Sequence, residues 1–418
     1  MKNIKHNYSK GKINYCQICN SNTIKKVMDF GYQPLADDLV EINQNISKQF
    51  FYPLTVNLCK KCSLLQTGYI VGDEILYPKN YHYTPGISKS VVENFKNLSS
   101  QISKNYKIKK KDLIVDIGCN DGSLLYEFKK LGFKKLLGVE PTDTVFRAKK
   151  KKINVINDFF NFRSSKKALE KFGKAKIITT TNVFAHTDKL GDFLKGVNNL
   201  IDQDGVFIVE NHYLLDVIKK SQFDTFYHEH LRTYSLKSLI KLMKYYNLNI
   251  INAYTSNRYG GNIQAHFSKE NQIKIISNIN KILKKESKAG LNEEKTYKNF
   301  FDKIHIAKDN LHKFLKYNKY KKIVGKSFPA RASVLIHFFE YLKNYIDIIY
   351  EQPSSKKIDH FVPGTNIQIK SSIGLKKSKP DIILIFAWHM FDEIKKKWIK
   401  RGLTKTKYIK LLPKLKVK

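Results

Sequence analysis

"KDLIVDIGCNDGSLLYEFKKLG" occupies Lys111–Gly132. It opens with a short apolar run, Leu113 to Ile117, turns on Gly118 and Gly122, and continues with apolar residues at helical spacing. Strand, glycine turn and amphipathic helix in that order begin a βαβ unit. Outward from it, "KKLLGVEPTD" (134–143) reads as a second strand ending in an acid. Helical sequence then alternates with "INVINDFF" (153–160), "AKIITTTNVFAHT" (175–187) and "GVFIVENHY" (205–213). This alternation predicts a parallel, doubly wound sheet whose ligands gather beyond the carboxyl ends of the strands.

The loop reads G-x-x-x-G, not the G-x-G-x-x-G of a dinucleotide fold. Gly118 permits the sharp turn and Gly122 the close approach of backbone to ligand. Glu140, closing the second strand, is placed to accept hydrogen bonds from ribose hydroxyls. Asp116 is expected beside a sulfonium and its amino-acid end, and Asp158 near an adenine. With Asn120 and Asn182 these residues form the expected binding set for S-adenosylmethionine. The set points to methyl transfer without naming the acceptor.

Four of the five cysteines form two C-x2-C pairs, Cys16/Cys19 and Cys59/Cys62, separated by 39 residues. Two such knuckles supply the four thiolates of a tetrahedral zinc site. No open coordination position is evident, so the metal is expected to be structural, holding a lobe too small to rely on its own core. The pairing also argues against disulfides, as does the lack of an apolar leader in "MKNIKHNYSKGKINY". A cytoplasmic protein with no membrane association is expected.

The chain has 418 residues, of which 42% are hydrophobic and 12% aromatic, enough for more than one globular domain. Its net charge of +40 resembles a nucleic-acid footprint. The excess is lysine dispersed over the whole chain with little arginine, which argues against a dedicated phosphate reader. No nucleic-acid partner is expected, and an anionic small substrate would benefit from the same field. Three parts are expected: a zinc lobe over 1–75, a methyltransferase core over 76–268, and a helical linker with a smaller α/β domain over 269–418. The fold class is therefore α/β, with a small N-terminal zinc-binding lobe, a Rossmann-like core and a second α/β domain.

Seven stretches carry a resemblance to a known family: "CQIC…CKKC", "YHYTPGISKS", "DIGCNDGSLL", "NVFAHT", "FDTFYHEHLRTYS", "RYGGNIQAHF" and "FVPGTNIQI". Together they resemble the sugar C-methyltransferases of nucleotide-linked 4-keto-deoxysugars, over nearly the whole chain. The resemblance implies structural zinc, S-adenosylmethionine, and deprotonation of the carbon beside a ketone before methylation. The family's base matches His230, and Tyr83 matches a tyrosine of its substrate loop. Glu229 is expected to orient His230 or balance its charge, and Tyr227 to donate to the ketone or enolate. His186, at the end of the fourth strand, is the second candidate base. The expected partner is a nucleotide-diphosphate ketosugar gripped by the C-terminal domain. The Pro363–Gly364 turn would supply backbone amides, with charge from Lys326 or Arg331. A monomer is favoured. The alternatives are a zinc-containing methyltransferase of RNA or another macromolecule, and O- or N-methylation of a related sugar.

Overall fold

The computed structural model describes residues 6, 8–44, 49–77, 86, 89–270, 276–412 and 416–417. Its central sheet has seven strands. Five are mutually parallel and run, edge inward, Asn154–Ile156, Lys135–Val139, Leu113–Ile117, Ala175–Thr181 and Ile201–His212. The antiparallel strands Asn262–Ser268 and Asn249–Ser256 complete the far edge. Every residue of Leu113–Ile117 is buried, as a strand covered by helices on both faces requires. The strand order reverses between Leu113–Ile117 and Ala175–Thr181. The crevice of this topology therefore opens beyond Ile117 and Thr181.

A second, eight-stranded sheet lies toward the C-terminus. Its parallel strands run Lys407–Lys410, Ile382–Ile385, Ile323–Lys326, Ile348–Glu351 and Gln368–Ser371, with antiparallel strands at the edges. The reversal here falls between Ile323–Lys326 and Ile382–Ile385, so its crevice opens beyond Lys326 and Ile385. Helices Ile276–Lys288 and Glu294–Tyr317 stand between the two sheets in sequence.

The cysteine-bearing stretch forms a four-stranded antiparallel sheet, and two short pairings tie it to the rest of the chain. Arg232–Thr233, just past the histidine motif, is its edge strand and pairs with Leu64–Thr67. Val40–Glu41 pairs with His360–Phe361 at the edge of the C-terminal sheet. Among the described residues no helix is long and apolar enough to cross a membrane.

Candidate active site and metal cluster

The two cysteine pairs, far apart in sequence, converge: their four sulfurs lie within 4.8 Å of one another. Each pair sits in a tight knuckle closed by a residue with positive φ, Asn20 after Cys19 and Ser63 after Cys62. Asn20 N donates to Cys16 O at 2.9 Å and Ser63 N to Cys59 O at 2.8 Å, so the knuckles are near copies. Cys19 and Cys59 sulfurs are 3.7 Å apart. That matches the roughly 3.8 Å edge of a tetrahedron built on Zn–S bonds of about 2.3 Å. The thiols are unbridged and three are buried. Donor set and geometry both fit zinc.

In the glycine loop, Gly118 and Gly122 have φ of +70° and +72°. A Cβ on Gly118 would stand 2.5 Å from Val183, and one on Gly122 would stand 2.9 Å from the Ala148 Cβ. Both glycines are therefore demanded by sterics as well as by backbone conformation. Glu140 is 5% exposed, and burial raises its pKa. One carboxylate oxygen accepts the Asn120 amide at 3.0 Å. The other accepts the Thr142 amide at 3.0 Å and its hydroxyl at 2.6 Å. An ionised carboxylate offers about four accepting positions, so this cradle fixes the group while leaving capacity for a ligand's hydroxyls. Asn182 lies at the same edge, its backbone amide on Glu210 O at 2.7 Å. Its side-chain nitrogen is buried with no hydrogen-bond partner among the described residues. These residues fit S-adenosylmethionine.

Asp116 is buried, with Thr179 Oγ1 donating to it at 2.7 Å and burial raising its pKa to about 7. Asp158 is half-buried and pairs with Arg163 at 3.1 Å.

At the carboxyl ends of neighbouring strands the histidines gather. The His230 ring centroid is 5.0 Å from His186, 5.1 Å from His212 and 4.1 Å from Tyr227. Tyr77 stacks on His186 at 5.9 Å. His230 Nδ1 lies 2.7 Å from the Thr225 carbonyl. A carbonyl only accepts, so Nδ1 carries the proton and Nε2 keeps its lone pair. The ring is thus oriented by the Thr225 carbonyl. Burial, with His186 and His212 alongside, pushes the His230 pKa well below its usual value. Burial lowers His186 to about 4 and holds the Tyr227 phenol protonated. The cluster is a set of neutral imidazoles beside a phenolic donor. Tyr83 and Tyr81 lie outside the described residues.

Sequence reasoning missed His212, Tyr77 and Thr225. His212 had a signal: it lies two residues beyond Glu210 on one strand, so both point to the same face. Thr225 had none, because its carbonyl acts through the backbone.

The proposed phosphate grip in the C-terminal domain is corrected. The Gly364 amide is taken by Gln49 at 2.6 Å and the Thr365 amide by Val362 O at 3.0 Å. Lys326 is buried with its ammonium 3.0 Å from Tyr350 O. Arg331 is committed to Asp224 at 2.6 and 2.8 Å. Each group already has a protein partner, so a diphosphate would have to compete with those contacts.

Three family models match the chain in sequence: a zinc binding domain over residues 16–77, a methyltransferase domain over 93–253, and a C-methyltransferase C-terminal domain over 257–413. C-methyltransferase NovU of Streptomyces niveus is 25% identical over 388 residues, 91% of either chain. The chain belongs to the C-methyltransferase family. This is the family its motifs resemble, and as a C-methyltransferase it is a transferase that uses S-adenosylmethionine and carries a zinc-binding lobe. Solved structures match less than half of the chain. An S-adenosylmethionine-dependent methyltransferase from Clostridium acetobutylicum is 17% identical with a TM-score of 0.33, matching 42% of this chain and 91% of its own. The PH0226 protein from Pyrococcus horikoshii is 12% identical with a TM-score of 0.35, matching 47% and 98%.

Proposed function

We propose that the protein methylates a nucleotide-linked 4-keto-deoxysugar at the carbon beside the ketone, with His230 as the general base. The observation that carries this reading is the hydrogen bond from His230 Nδ1 to the Thr225 carbonyl, which presents Nε2 as the accepting atom. A carbon acid next to a ketone needs a positioned base and a donor for the developing enolate oxygen. Nε2 takes the proton, and the imidazolium so formed keeps its Nδ1–H on the Thr225 carbonyl. Tyr227, protonated and in contact with the ring, is the donor for the enolate oxygen. Glu229 supplies negative charge beside Tyr227 and Tyr77 and offsets the new positive one. A low pKa weakens the base but guarantees its neutral form, so the burden shifts to stabilising the enolate.

S-adenosylmethionine, when bound, supplies the methyl group on its sulfonium. Glu140 is assigned to the ribose, with Asn120, Asn182, Gly118 and Gly122 shaping the rest of that site. His186 is the alternate base. The proposed division is a zinc lobe over 1–75, a core over 76–268 and a substrate domain over 269–418. Within that last domain the substrate is held by groups other than Gly364, Lys326 and Arg331.

The test is deuterium exchange at the acidic carbon of a 4-keto sugar nucleotide, followed by NMR without a methyl donor. The parent enzyme should exchange this position and His230→Ala should not. Equal exchange rates would move the base elsewhere.

A further inference from the structure

We propose that Asp224 is a positioning residue for His230, through which the C-terminal domain governs the base; this rests on the reading of His230 as the base. Asp224 belongs to a single turn, Phe223–Thr225, and is 1% exposed. Three N–H donors from the C-terminal domain converge on its carboxylate. Arg331 Nε reaches it at 2.8 Å, Arg331 Nη2 at 2.6 Å and Trp388 Nε1 at 2.8 Å. The Arg331 guanidinium also lies over the Trp388 ring, 5.0 Å from its centroid. A two-pronged guanidinium–carboxylate pair fixes orientation as well as distance.

The next residue is Thr225, whose carbonyl holds the His230 proton on Nδ1. A displacement of Asp224 passes directly to that carbonyl, because they are neighbours in one short turn. Little slack exists around it. Arg331 Nη1 also donates to Tyr259 O at 3.3 Å, and Gln222 Nε2 to Gly260 O at 3.0 Å. A Cβ on Gly260 would stand 2.8 Å from both Gln222 and Trp388.

The placement follows from topology. Arg331 and Trp388 come just after Lys326 and Ile385, at the point where the C-terminal sheet reverses its strand order. That crevice edge faces the catalytic turn. Losing the grip frees the Thr225 carbonyl to drift and lets the proton settle on Nε2, the atom that must be bare.

The test uses ¹⁵N-histidine NMR of the full chain at pH 7.5, with kcat, KM and S-adenosylmethionine affinity measured alongside. Asp224→Asn keeps the shape and removes the charge. It should leave cofactor affinity and KM near the parent's while His230 becomes a mixture of tautomers. Turnover should fall about tenfold or more, a part of the roughly 10²–10⁴ a general base supplies. A variant that binds S-adenosylmethionine as the parent does, yet keeps the parent tautomer or the parent kcat, overturns the proposal. If Asp224→Asn does not fold, Trp388→Phe decides, since it removes one donor and preserves the aromatic packing. A lower kcat at unchanged KM supports the proposal, and a parental kcat overturns it. The tautomer readout needs no substrate, so it fails or survives independently of the exchange experiment on His230→Ala.

Discussion

Glu140 is held by Asn120 and Thr142, near neighbours on the same strand–loop–helix–strand unit. The segment around His230 is held from three distant parts of the chain. Its start, at Asp224, is gripped by Arg331 and Trp388 of the C-terminal sheet. Its end, Arg232–Thr233, is an edge strand of the cysteine lobe. Its flank meets His186 and His212, from the ends of two core strands. The proposed cofactor side of the crevice is thus a local structure and the proposed catalytic side an assembled one. A local structure survives the loss of remote parts, and an assembled one does not.

The harshest way to break this contrast is to remove the metal. Zinc-finger peptides draw about 10–16 kcal/mol of folding energy from zinc, so stripping it should unfold the lobe and release Arg232–Thr233 from Leu64–Thr67. Methyl transfer should be abolished while S-adenosylmethionine still binds. Hydrogen exchange should rise over residues 51–67 and 231–233 and stay low over 113–140. Purified protein without stoichiometric zinc, or a zinc-free chain with full activity, would remove the claim.

His230→Ala acts on the assembled side alone. Turnover should drop about 10²–10⁴-fold with cofactor affinity intact. A smaller loss would hand the proton to His186.

Glu140→Ala acts on the local side. Losing a charge-assisted hydrogen bond costs about 1.5–3 kcal/mol, so S-adenosylmethionine should bind about 10- to 150-fold more weakly. Calorimetry showing unchanged affinity would mean the ribose lies elsewhere.

The mildest test sharpens the picture of the histidine cluster. His230 has its pKa lowered by burial, so it stays neutral as pH falls through the range where a free imidazole charges. From pH 8 to 6.5, kcat/KM should therefore hold nearly level, whereas an ordinary imidazole base would lose about half its active form by pH 6.5. An acid limb centred at pH 6.5 would contradict the buried, neutral cluster.

Legibility followed the range of the interactions. The C-x2-C pairs, the glycine loop and the acid after the second strand are short-range patterns whose spacing already carries their geometry. The doubly wound core was readable for the same reason, since each βαβ unit declares itself within about thirty residues. The phosphate grip was misread because Gly364, Lys326 and Arg331 looked available in sequence. Their partners Gln49, Tyr350 and Asp224 are brought to them only by folding.

By itself, then, the sequence determined a four-thiol metal site, a parallel core and a cofactor edge, because period, spacing and glycine placement act locally on the backbone. Only the tertiary structure decided which nitrogen of His230 is bare. That depends on a backbone carbonyl in a turn whose position is set by an arginine and a tryptophan from another sheet, and no local pattern encodes a contact between such distant parts of the chain.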